Sequence, residues 1–141
     1  MSMTNSFETN LLELLFNNSE LPKIGDSSGL QPSGADGNFY VALFTTAPTE
    51  STGGVEADYT GYSRIAVART SSGWTISGNE ASNTAKITFA ECESGSNSIE
   101  AFGILTGTTN DDLLWYGSCS IEVSLGVIPE FDVGALTITA N

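Results

Sequence analysis

The chain contains no histidine and only four cationic residues among 141. The missing histidine removes Ser-His and Cys-His nucleophilic machinery, histidine-ligated zinc and the usual neutral-pH general base. Seventeen Asp and Glu against four Lys and Arg leave a formal net charge of −13. Phosphate backbones need clustered Lys and Arg, so nucleic-acid binding is excluded as the main task, and the charge argues against docking on an anionic membrane. Cysteine is almost absent: Cys92 and Cys119 are too few for a disulfide framework and lack Cys-x-x-Cys spacing, which reads as two buried free thiols ahead of a pair. No apolar run approaches the ~18 residues of a membrane-spanning helix, and the first residues lack the basic and apolar regions of a secretory signal.

What is present is an acidic, half-apolar, turn-rich chain. Hydrophobic residues make up 40% and charged residues only 15%, so Ser, Thr, Asn and Gly must cover most of the surface. The length suits one compact domain, expected as a helix and extended arm over residues 1–38 and a β-sandwich over 39–141. The acidity favours solubility at the cost of self-repulsion, so added NaCl is expected to raise the melting temperature.

Residues 5–17 carry the one helical pattern. Asn5 reads as the N-cap with Glu8 three residues on, and Phe7, Leu11, Leu14 and Leu15 form an apolar stripe. That stripe packs either on its own domain or on a partner subunit. Residues 19–38 are a polar segment with no regular pattern, readable as an arm that lies on a partner.

From Phe39 onward the pattern is β. Phe39–Thr45 is a nearly continuous apolar run, suiting a strand buried on both faces. Tyr62–Arg69, Trp74–Ser77, Lys86–Phe89, Ile99–Leu105, Leu113–Tyr116, Ser118–Leu125 and Leu136–Thr139 follow, with a break expected at Gly117. About eight short strands between Gly, Asn and Ser turns predict an all-β fold, a jelly-roll-like sandwich with one N-terminal helix.

The candidate chemistry is thin. Asn110-Asp111-Asp112 offers calcium-type oxygens but not the EF-hand spacing, and reads first as a hairpin turn. Glu91 and Glu93 flank Cys92 and on a strand would share a face, but no aromatic cluster for a sugar accompanies them. No catalytic residue, cofactor-binding residue or metal ligand set is expected. Trp115 and Tyr116 are adjacent, so on a strand they face opposite ways, with Tyr116 the outer residue. Arg64 and Arg69 are half of the cationic side chains, and each is expected to anchor either the chain's own carboxylates or those of a partner. Phe7, Leu11, Arg64, Arg69, Trp115 and Tyr116 are therefore the candidate partner-interface residues.

A set of blocks runs along nearly the whole chain: Phe7–Phe16, Phe39–Thr49, Tyr59–Val67, Asn83–Phe89, Ala101–Leu105, Leu113–Gly117 and Gly134–Ile138. In order and spacing this resembles a family of small bacteriophage virion structural proteins, labelled sometimes as tail fibre proteins and sometimes as capsid cement or decoration proteins. Asn110-Asp111-Asp112 departs from the Gly-rich turn of relatives, and the chain is more acidic than the type. The resemblance implies a non-enzymatic jelly roll on the outer capsid surface of an HK97-type head, binding the major capsid protein, as a homo-oligomer (dimer or trimer). A tail or tail-fibre component is the alternative implied by the same resemblance. A carbohydrate-binding β-sandwich module is the reading outside it.

Overall fold

A computed structural model describes residues 1–109 and 112–141. The chain forms one helix, α1 (Asn5–Asn17), and ten strands: β1 (Asn38–Thr46), β2 (Val55–Glu56), β3 (Ile65–Ala68), β4 (Trp74–Ser77), β5 (Glu80–Asn83), β6 (Ile87–Thr88), β7 (Asn97–Leu105), β8 (Leu113–Val123), β9 (Glu130–Phe131) and β10 (Thr137–Thr139). It is all-β apart from α1, with antiparallel sheets, as the sandwich reading requires. Two compact units are distinguishable: Met1–Asn38 with Ala68–Lys86 and Asp132–Asn141, and Phe39–Val67 with Ile87–Phe131.

The first unit holds α1 and the sheet β10-β5-β4. The helix packs on β4 and β5, and its buried face is Glu8, Leu12 and Phe16, whereas the expected stripe of Phe7, Leu11, Leu14 and Leu15 is only half-buried. Phe16 meets the fully buried Trp74 edge-on, with ring centroids 4.9 Å apart. Burial of side chains this large contributes about 2–3 kcal/mol each. The N-cap is Thr4 rather than Asn5, which is the first helical residue, and Thr4 makes no side-chain capping bond. Instead the Thr9 hydroxyl reaches the Gly78 carbonyl at 2.7 Å and ties the first turns to the β4–β5 hairpin. Asn83 is the buried polar staple of this unit. Its amide donates to the carbonyls of Ala85 and Asp132, and its oxygen accepts from the Leu136 amide.

The second unit is built on β2-β1-β7-β8, with β3 also paired to β1. Val41, Ala42, Leu43 and Phe44 are all buried, so β1 is covered on both faces, as its continuous apolar run predicts. Ala42, Phe44, Ala101 and Leu105 make one cluster, with Leu113 packed against it. The small strand pair β6–β9 brings Phe89 and Phe131 together, and Phe102 meets Phe131 edge-on.

The expected break at Gly117 does not occur, since β8 runs unbroken from Leu113 to Val123. A Cβ at Gly117 would lie 2.7 Å from the Phe102 ring, so glycine is there to let that ring lie over the strand rather than to end it. The short strands β2, β5 and β9 carry no alternation long enough to be read in the sequence.

Candidate functional site

The stretch from Glu56 to Arg69 holds both candidate arginines. Its first part belongs to the second unit. Tyr59 is buried, and its hydroxyl donates to the Ala90 carbonyl at 3.0 Å. The Asn97 side-chain oxygen accepts from the amides of Asp58 and Tyr59, and its amide group returns a bond to the Asp58 carboxylate. The Thr60-Gly61 turn is sewn down by Thr60–Ser94 and Glu93–Thr60 backbone bonds. Gly61 sits at φ +101°, and a Cβ there would lie 2.7 Å from the Glu91 carbonyl oxygen, so both conformation and space demand glycine.

Beyond the turn lies a three-residue network. Arg64 grips Glu56 bidentately, Nε to Oε1 and Nη2 to Oε2, both at 2.9 Å, while its Nη1 donates to the Gly107 carbonyl at 2.7 Å. The Tyr62 hydroxyl donates to Glu56 Oε1 at 2.6 Å and accepts from the Leu43 amide at 3.1 Å. Side-chain exposure is 15% for Arg64 and 28% for Glu56, so solvent screens the pair only partly. Burial first, then the bond to Glu56, pushes the Tyr62 phenol far above its usual range. Two recesses of about 320 and 400 Å³ flank the pair, each lined by both Glu56 and Arg64. Within them carboxylate and guanidinium satisfy each other, so neither is presented as an unopposed charge.

Arg69 belongs to the first unit and does something different. Its Nε donates to the Leu15 carbonyl at 2.6 Å and its Nη2 to the Leu14 carbonyl at 2.8 Å. Its Nη1 reaches the Ser33 hydroxyl and the Asp36 carbonyl, both at 3.1 Å. The last turn of α1 carries no basic residue of its own, so Arg69 supplies the cation that the helix C-terminus favours. Asn18, the left-handed C-cap of α1, completes the clamp. It exchanges bonds with the backbone and hydroxyl of Ser33 and donates to the Asp36 carboxylate. The end of the polar arm is thus bound to the helix within the same unit.

The remaining candidates lie elsewhere. Phe7 and Leu11 are half-buried on α1. Trp115 is half-buried and meets Phe39 edge-on at 5.6 Å, while its neighbour Tyr116 is 43% exposed. The structure therefore gathers Arg64 into one cluster and Arg69 into another. Cys92 is buried and Cys119 half-buried, both as free thiols. Glu91 and Glu93 are exposed and lie outside any strand, so they do not share a sheet face. Asn110 and Asp111, two of the three residues of the acidic turn considered above, lie outside the described residues. Among the described residues no three His, Cys, Asp or Glu side chains converge as a metal site would require.

Sequence reasoning missed Glu56, Asn83 and Asn97, the polar groups that organise this geometry. Eight positions separate Glu56 from Arg64, with no local pattern to link them.

The family described as Podophage GP4 fiber I protein gp80 matches residues 2–139, nearly the full length, and the chain belongs to that family. No curated protein matches the chain.

Proposed function

We propose that the protein is a non-enzymatic building element of a bacteriophage fibre, present as a homo-oligomer in the virion. The observation that carries this reading is the fibre-protein family match over residues 2–139. The internal use of Arg64 and Arg69 agrees with it, since a rigid, self-satisfied scaffold suits a load-bearing part better than a binding pocket. The same family match favours the fibre over the capsid-cement role on the outer head surface that the sequence resemblance put first.

Copy number separates the two locations. Quantitative protein stoichiometry of purified particles, with immunogold labelling by an antibody to this chain, should give label confined to fibres and a few to a few dozen copies per particle. Hundreds of copies spread over the head would overturn the fibre assignment and restore a cement role against the major capsid protein.

A further inference from the structure

The first four residues of β8 have the sequence of an interior strand, and the strand has the position of an edge. It is the outermost strand of β2-β1-β7-β8, pairs with β7 on one side, and has no paired strand on the other among the described residues. At 11 residues it is longer than any other described strand. Its opening Leu113-Leu-Trp-Tyr116 is apolar toward both faces, yet of the whole strand only Val123 is buried. Leu114 and Tyr116 are 42% and 43% exposed. β1 and β7, by contrast, bury most of their apolar residues.

Proteins protect long edges with lysine, proline, inward charge or bulges. Of these β8 has only the bulges, and its single charge, Glu122, accepts a bond from Ser98 near the end of the strand. Two register shifts in the β7–β8 ladder, beside Ile99/Ala101 and Ile104/Leu105, bracket a regular run from Trp115 to Ser118. That run is where an added strand can lie flat.

We infer that this edge is the self-association surface of the protein, where β8 pairs antiparallel with β8 of a second copy. The charge distribution selects that occupant. Two copies at −13 each repel wherever their acids meet, and Leu113 to Ile121 contains no Asp, Glu, Lys or Arg. A second copy also brings the same bare, neutral edge, so one two-fold operation satisfies both. Because side chains alternate, only an axis through a residue sets like faces together, and the regular run places that axis on Tyr116 or Gly117. Tyr116 then lies across from or diagonal to its counterpart, and Leu114 faces Ser118 or Ser120 of the second copy.

The test is sedimentation velocity on the purified chain over a concentration series, at low and high NaCl. The wild type should reach twice the chain mass, and more readily as salt screens the acids. Leu114→Lys and Tyr116→Lys, both at exposed positions that leave the fold intact by circular dichroism, should each weaken association about tenfold or more. Leu125→Lys, at an apolar position 74% exposed outside the strands, should leave it unchanged. A wild type that stays at the mass of one chain throughout the series would overturn the inference. So would an oligomer that both β8 variants leave intact.

Discussion

Arg64 and Arg69 stand at the two ends of β3, and each ties together segments distant in sequence, but they do so by opposite means. Arg64 spends its fork on a carboxylate, and the resulting pair is neutral as a whole. Arg69 donates to neutral oxygens, two of them the unsatisfied carbonyls at the end of α1. The first arrangement depends on an opposite charge being present. The second depends on a helix terminus that needs donors. In a chain with so few cations, both arginines are consumed in holding the fold.

The largest effect should come from Arg69→Ala. It removes four hydrogen bonds from a charged donor and leaves the Leu14 and Leu15 carbonyls without it. A loss of about 3 kcal/mol is expected by chemical denaturation, with early proteolytic cleavage within residues 19–38. Arg69→Lys should recover only part, because one ammonium cannot span the helix end and the arm together. If the lysine variant matched the wild type, position 69 would be supplying charge alone and not a fork.

Next is Arg64→Ala, expected to cost about 2 kcal/mol because it strands a partly buried Glu56 carboxylate. Removing Glu56 as well should cost less than the sum of the two single changes. Salt distinguishes the two arginines. Raising NaCl should shrink the cost of Arg64→Ala more than that of Arg69→Ala, since it screens a pair of full charges more than a charge on a helix terminus. Equal salt responses would erase the distinction between the two braces.

How far this was legible follows from the range of each interaction. The helix is readable to its bounds because its apolar periodicity is a local signal, although the face buried deepest is Glu8, Leu12 and Phe16 and not the expected stripe, and β4 is readable because turns flank a short alternating run. Burial of β1 on both faces also follows from its sequence. The Gly117 error has a different origin. Glycine reads as a turn from its own flexibility, whereas here it answers the Phe102 ring on the neighbouring strand. The clusters themselves are non-local. Arg64 to Gly107 and Arg69 to Leu14 span 43 and 55 positions, and no spacing rule connects them. Scarcity of cations pointed to these two residues, but only the fold shows that they face inward to the chain's own groups.

The smallest effect sharpens the Arg64 side of the comparison. Tyr62→Phe removes one hydroxyl from the network, at an expected cost of about 1 kcal/mol near neutral pH, from the lost bonds to Glu56 and Leu43. Its pH dependence is more telling. The folded protein holds the Tyr62 phenol protonated well above 10.0, the ordinary value that the unfolded chain regains. A raised acid of this kind contributes stability that is complete below pH ~10 and is lost as pH rises beyond it, because the unfolded chain ionises first. Wild-type stability should therefore fall by about 1.4 kcal/mol per pH unit from this residue above pH 10. The phenylalanine variant should keep only the shallower slope left by Tyr59 and Cys119, whose groups are also raised, chiefly by burial. Denaturant titrations between pH 8 and ~11.5 read this directly. Identical alkaline slopes in the two proteins would mean that Tyr62 is not held neutral between Glu56 and Leu43, and that Arg64 and Glu56 form a simple pair rather than a three-residue brace.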